Sequence, residues 1–512
     1  MSKRVADPAD ISPAAKASRG GQARKSALEQ PGMGEFEDQW EDEIEGDQDD
    51  VDEDGACVRL PPMVVDDDVT PAIEDTDESA PAQQNAFLPG VHKLAKDEIL
   101  EPDDSVYIMR HSLNVTWPCL SFDILRDSLG DERQRYPATA YLAAGTQADA
   151  AKNNELIVYK LSSLHKTQRS ADSDDDDDAD DDDDDDRLDE DPVLEFRSVP
   201  HPGGVNRVRA QPLPPGPLPP PTQPYHVATW AETGKVHIWD VRPLIESLDV
   251  PGYAYDKARA KTPVFSVAAH GRAEGFALDW ASSASGTGLR LLSGDTHAKI
   301  FLTTSTVSGF STSGAPFASH TASVEDLQWS PSEPTVFASC SADRSVRVWD
   351  VRSRGRKSVA SVDGAHDGDV NVISWNRASS YLLLSGGDEG GLKVWDLRNV
   401  KKHGAAGADP TPVAHFTWHK APITSVEWHP TEDSLFAASG ADDQLTLWDL
   451  AVEQDDEEVG GTVAEDPHVP PQLLFVHQGQ RDIKELHWHP QIPGTVVSTA
   501  LDGFDIFKTI SA

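Results

Sequence analysis

The chain has 512 residues, 44 Lys and Arg against 88 Asp and Glu, and a formal net charge of -44 at pH 7. A field of that sign repels nucleic acid and anionic membranes and attracts basic protein, and the sequence has no apolar run long enough to cross a bilayer as a helix. Its three cysteines, Cys57, Cys119 and Cys340, lack paired or metal-like spacing, which implies a reducing compartment.

Residues 1–88 are expected to be a disordered, acidic tail, since they carry too little apolar surface to fold alone. The scattered cations Lys3, Arg4, Lys16, Arg19, Arg24 and Lys25 make a weak import signal. From Glu35 the run EFEDQWEDEIEGDQDDVDEDG reads either as a solubilising tail or as a charged clamp for a basic client.

Residues 89–114 are expected to divide between a short N-terminal helix and a ring-closing strand. Glu101-Pro102-Asp103-Asp104 resembles a helix start, with Val106, Met109 and Leu113 at helical spacing. The closing strand falls at around Ser105 to Asn114 or just upstream. Segments from Trp117 to Leu125, from Ala138 and from Asn154 then alternate as strands of a first blade that lacks a Trp-Asp end.

An aspartate-dense insertion spans 163–191, with Asp172, Asp174 to Asp178 and Asp180 to Asp186; Ser170 and Ser173 beside it are candidate phosphorylation sites. The repeats restart at His201, are interrupted by a Pro-rich loop at 211–224, and close a unit at Trp239-Asp240. Residues 243–265 form a longer connection. The next unit starts at His270 and has Phe301-Leu302 where Trp-Asp is expected.

Three regular units follow. His320 and Trp349, His366 and Trp395, and His419 and Trp448 keep one fixed separation. This repeat, with Trp-Asp at the end of the third strand, predicts an all-β, seven-bladed WD-repeat β-propeller over 115–512. After an acidic loop at 451–469, the last unit runs from His477 to Phe507-Lys508.

Within the regular units a loop His, a hydroxyl of the second strand, a turn acid and the Trp should form one hydrogen-bonded set per blade. The expected members are His320, Ser339, Asp343 and Trp349; His366 and Trp395, with Glu389 where the Asp should stand; and His419, Ser439, Asp442 and Trp448. A catalytic set occurs once, whereas these recur, so they are read as scaffold. No catalytic, cofactor or metal site is expected, and the histidines of HWHP from His487 are assigned to the blade pattern rather than to zinc. Arg352 and Arg398 after Trp-Asp could dock a ubiquitin-ligase adaptor, but the same feature is common in propellers without that partner.

VYIMRHSLNVTWPCLSFDILRD from Val106 and the acidic loop followed by PPQLLFVHQGQRDIKELHWHP from Pro470 resemble the histone-binding WD-repeat propellers of the chromatin-assembly-factor class. PCLSFDILRD, LLSGGDEGGLKVWDLR and the acidic tracts are similar, within that class, to the glutamate-rich WD-repeat ribosome-assembly family. The resemblance implies a non-enzymatic, nuclear and nucleolar chaperone of ribosomal protein L3 (uL3) in large-subunit biogenesis, monomeric apart from its client. Histones H3 and H4 are the alternative clients, with pre-ribosomal or import factors as further partners. It also implies client contacts at Val106, Tyr107, Met109 and Arg110, and at Asp455, Asp456, Glu457, Glu458, Pro470 and Pro471, or at loops around the central channel.

Overall fold

Alternating apolar residues in short, turn-punctuated segments build strands that cannot bury both faces alone, and the solution is radial stacking. The computed structural model describes residues 103–167, 191–282, 288–400, 410–453 and 469–511. In it the strands group into seven four-stranded antiparallel sheets. The inner strands of blades 1 to 7 are Cys119–Leu125, Val205–Ala210, Ala277–Trp280, Val324–Trp329, Val370–Trp375, Ile423–Trp428 and Glu485–Trp488. Each packs on the next, and the seventh packs on the first.

The interior lies between blades rather than within one. Phe337, Trp349, Phe436 and Trp448 are fully buried, and the ring planes of Phe337 and Trp349 stack within 6°. Close approach of neighbouring blades needs small residues. A Cβ on Gly386 of blade 5 would stand 2.5 Å from Ile423 Cγ2 of blade 6, so a side chain there would wedge the two blades apart. In blades 1, 2, 4, 5 and 6 the pairing of the inner strand shifts by one residue near its start, as between Val324 and Asp326. Such bulges increase local twist and re-aim the side chains that follow.

The ring closes by exchange between the two ends of the propeller. Tyr107–Asn114 pairs antiparallel with Gly503–Thr509 and completes blade 7. The expected helix is therefore corrected for the described part of that segment. Asp104–Val106 forms a single 3-10 turn, capped by Asp103, and a strand follows. Met109 and Leu113 are four apart, which satisfies a helix and a strand equally. The unpaired edge of Gly503–Thr509 decides for the strand, because its N–H and C=O groups need partners. Gly503 has φ 152°, and a Cβ there would lie 1.9 Å from Leu113 O.

The connection at 243–265 contains a helix that the blade pattern did not foretell, Arg242–Asp249, with Pro243 in its first turn. Leu244, Ile245 and Leu248 bury against the core of blades 1 and 2. The expected tail at 1–88, nearly all of the aspartate insertion and its serines, and Cys57 lie outside the described residues. Cys119 and Cys340 are buried and unpaired.

Candidate functional site

Blades 2 to 7 each carry a buried histidine network, built on His201, His270, His320, His366, His419 and His477. In blade 4, Trp349 Nε1 donates to Ser339 Oγ at 2.8 Å, and Ser339 Oγ lies 2.6 Å from His320 Nε2. His320 Nδ1 lies 3.0 Å from Asp343 Oδ2. Burial holds His320 below its usual range, so the neutral ring donates from Nδ1 and accepts from Ser339. Burial would raise Asp343, but the hydrogen bonds from His320, Ser345 and Thr321 outweigh it and keep the carboxylate ionised. Blade 5 repeats the set with His366, Ser385 and Trp395, and Glu389 takes the acid's place at 2.6 Å.

Blade 6 departs from expectation. His419 Nδ1 meets Asp442 at 2.9 Å, but Nε2 meets Thr446 Oγ1, also at 2.9 Å, and Trp448 donates to that same hydroxyl. Ser439 bonds Thr424 instead. Ser339 and Ser385 each follow their histidine by 19 residues. The corresponding residue of blade 6 is Ala438, so its neighbour Ser439 faces the other side of the sheet. In blade 7 the closing strand supplies the missing member, with Tyr107 Oη 2.8 Å from His477 Nδ1. Histidines with acids thus recur around the ring as latches.

A second constellation lines the central channel. The inner-strand residue ahead of the Trp position reaches into the next blade and accepts a backbone N–H. Asp123 takes Ala210 N at 2.7 Å, Asp279 takes Trp329 N at 2.7 Å, Ser374 takes Trp428 N at 3.1 Å and Glu427 takes Trp488 N at 3.0 Å. Deeper in, Ser121, Asp326 and Glu485 do the same for Val208, Ile373 and Phe122. The channel wall is therefore stitched blade to blade by polar side chains.

Glu485 is 1% exposed and binds Arg207 at 2.7 Å and Arg209 at 2.9 Å. Burial alone would raise its pKa, but the two guanidiniums hold it well below the ordinary carboxylate range. His487 is half-buried beside Glu427 Oε2 at 3.0 Å. Desolvation opposes its charge, yet Glu427 and then Glu485 raise its pKa to about 10, so the ring is an imidazolium at neutral pH. The assignment of His487 to the blade pattern thus holds for its position, while its partners are the acids of the channel. These channel groups escaped the reading of the sequence, although Asp279, Glu427 and His487 each directly precede a Trp.

The third candidate region is the seam between blades 6 and 7. The segments around Val106 and after Pro470 are distant in sequence and adjacent in space. The Tyr107 and Phe475 rings meet edge-on at 5.4 Å, and Val106, Leu474 and Phe475 all pack against the cluster that holds Tyr107. Tyr107 and Met109 are buried in the core, Val106 and Arg110 are half-buried, Pro470 is half-buried and Pro471 is exposed. Arg110 lies 3.7 Å from Asp104. Asp455, Asp456, Glu457 and Glu458 lie outside the described residues. Elsewhere, Arg352 and Arg398 are exposed and chelated alike by Asp350 and Asp396 at 2.7 Å, and Arg398 covers the Tyr381 ring at 3.8 Å.

Comparison with known proteins bears on the closing strand and the whole ring. Residues 97–165 match the family of the histone-binding protein RBBP4 and its counterpart in the CAF1 complex, and residues 272–448 match the EIPR1 β-propeller family. Ribosome assembly protein rrb1 of Schizosaccharomyces pombe is 48% identical over 480 residues, covering 94% of this chain and 93% of the relative. Protein HEAT STRESS TOLERANT DWD 1 of Arabidopsis thaliana is 47% identical over 82% of this chain and 90% of its own. Glutamate-rich WD repeat-containing protein 1 of Dictyostelium discoideum is 44% identical over 82% and 84%.

Proposed function

The chain belongs to the family of ribosome assembly protein rrb1 and the glutamate-rich WD-repeat proteins, and from that membership we propose that it is a non-catalytic ribosome-assembly factor that escorts newly made ribosomal protein L3 (uL3) to the nascent large subunit. The observation that carries the reading is the 48% identity to a ribosome assembly protein along nearly the whole of both chains. The net charge of -44 supplies the physical reason. Ribosomal proteins are basic because they neutralise RNA, and before RNA is present their charge attracts unwanted partners. An acidic binder screens that surface, speeds encounter and yields to rRNA, which competes for the same cations. An escort of this kind works in the nucleus and nucleolus, with client pickup in the cytoplasm.

The seam between blades 6 and 7 is the first candidate surface. Val106, Arg110, Pro470 and Pro471 present its accessible part, and the acids from Asp455 to Glu458 belong to the loop that precedes it. A second reading, a chaperone of histones H3 and H4 in chromatin assembly, is favoured by one observation, the match of residues 97–165 to a histone-binding family.

Affinity purification of the pulse-labelled protein at moderate salt, with quantitative mass spectrometry, separates the two. Enrichment of new L3 far above other ribosomal proteins supports the escort. Histones H3 and H4 in its place move the protein to chromatin assembly.

A further inference from the structure

Blade 1 ends in an outer strand, Val193–Pro200, that differs from its counterparts. The outer strands of blades 2 to 6 are Phe265–Val267, Gly309–Thr312, Ala360–Val362, Ala414–Phe416 and Leu473–His477, none longer than 5 residues. Strands that short offer another chain little to pair with. In blade 7 the outer strand Tyr107–Asn114 is long, but the chain itself covers part of it. Thr167 N donates to Ile108 O at 3.0 Å, and His111 Nε2 lies 2.9 Å from His165 O. Val193–Pro200 has 8 residues, and among the described residues no backbone group bonds its outer side.

The phase of the pairing decides which backbone groups are free. His201 N donates to Asn154 O at 2.8 Å, and Glu155 turns its N–H the other way, to Thr146 Oγ1. By the alternation of an antiparallel ladder, Val193, Glu195, Arg197 and Val199 therefore bond the inner neighbour Glu155–Leu164. Leu194, Phe196 and Ser198 point their N–H and C=O groups outward. One of these is taken, since Arg197 Nη1 donates to Phe196 O at 2.8 Å.

The side chains sort by the same alternation. Leu194 packs against the core between blades 7 and 1, and Phe196, 53% exposed, leans on Tyr159 with ring centres 6.1 Å apart. Val193, Glu195 and Arg197 stand on the other face and are exposed, with the exposed Asp191 just before the strand. The cations nearby are occupied: Arg197 donates to Ser247 O at 3.3 Å, and Lys160 pairs with Asp249 at 2.9 Å. Asp191 and Glu195 form no ion pair among the described residues. The strand thus offers free backbone groups, an apolar face and unpaired acids together.

We propose that Val193–Pro200 is a docking edge at which an extended basic segment of the client adds a fifth, antiparallel strand to blade 1. Hydrogen bonds to Leu194, Phe196 and Ser198 hold its backbone. Its alternate residues place apolar side chains beside Leu194 and Phe196, and cations beside Glu195 and Asp191. The sign of the partner follows from the approach to the strand: in sequence the aspartate-dense insertion runs to Asp186, and Asp189, Glu190 and Asp191 follow. That charge attracts a basic strand and repels a polyanion. It also disfavours a second copy of the chain, which would bring two such runs to one seam. The inference rests on the basic-client reading for the source of the strand.

The test is titration of the full chain with a capped Lys-Val-Lys-Val-Lys-Val-Lys peptide, followed by calorimetry and hydrogen exchange. In the antiparallel register the valine amides face Leu194, Phe196 and Ser198. Two N-methylated forms, one blocked at the valine nitrogens and one at the lysine nitrogens, carry the same charge, so their difference reports pairing alone. Ser198→Pro removes one outward N–H and leaves the ladder to Glu155–Leu164 in place, since proline is tolerated where an edge N–H faces solvent. On binding, exchange should slow in residues 193–200. The valine-methylated peptide should bind roughly tenfold more weakly than the lysine-methylated one, and Ser198→Pro should weaken the unmodified peptide by a similar factor. Equal binding of the two methylated forms, unchanged binding by Ser198→Pro, protection elsewhere than 193–200, or no binding at all each overturn the proposal. Sedimentation of the free chain as a dimer that Ser198→Pro dissolves also overturns it and gives the edge to a second copy. The purification of whole client is a separate readout. Absence of L3 from the wild type removes the escort reading and leaves the peptide result to decide the edge. L3 recovered equally by wild type and Ser198→Pro keeps the escort and overturns the edge as its dock.

Discussion

Ser439 and Thr446 are both hydroxyl residues of blade 6, and only Thr446 touches His419 and Trp448. Thr446→Val should therefore cost about 1–3 kcal/mol, the usual penalty for unpairing a buried polar group. Ser439→Ala, which releases one hydroxyl pair, should cost less. Urea unfolding of the two variants gives the order, and a larger loss in Ser439→Ala would refute the assignment. His487 offers a pH-dependent counterpart. Its folded pKa of about 10 exceeds the unfolded value of 6.5, so its contribution is complete below pH 6.5 and disappears as pH rises through 10. Stability of the wild type should fall across that window more steeply than stability of His487→Gln. Parallel curves for the two proteins would mean that the imidazolium is not formed.

Among the elements, the regular repeats were legible because a spacing of His to Trp is a property of the chain alone. Ser339 was legible for the same reason. Thr446 was not, because Ala438 occupies the serine's position and the hydroxyl comes from a different strand. The helix Arg242–Asp249 was hidden inside a connection that carries no repeat, and its buried Leu244, Ile245 and Leu248 are explained by a groove between blades that sequence does not draw. The channel acids were hidden for a related reason: each is an ordinary polar residue in its own blade, and seven inner strands must converge before they face one another. Tyr107–Asn114 tests the tertiary override directly. Met109 is fully buried between blades 7 and 1, so Met109→Ala should destabilise by about 2–5 kcal/mol. Hydrogen exchange should then quicken first in its partner strand, Gly503–Thr509. Uniform loss of protection around the ring would contradict the pairing as the local point of failure.

Viewed whole, the molecule joins a stitched ring to a chain of net charge -44. Long-range attraction acts on encounter more than on residence, so added salt should slow association with the proposed client, L3, far more than it hastens release. Stopped-flow mixing at several ionic strengths measures this, and an on-rate indifferent to salt would remove charge from the mechanism. The closing strand carries one more consequence, and it concerns time. A ribosome delivers Tyr107–Asn114 long before Gly503–Thr509, so at about 5–20 residues per second the first waits tens of seconds for the second. During synthesis blade 7 lacks its partner, and Tyr107 has no His477 to hold. The ring is completed only once Gly503–Thr509 has been made, so until then the protein exposes an open β-edge.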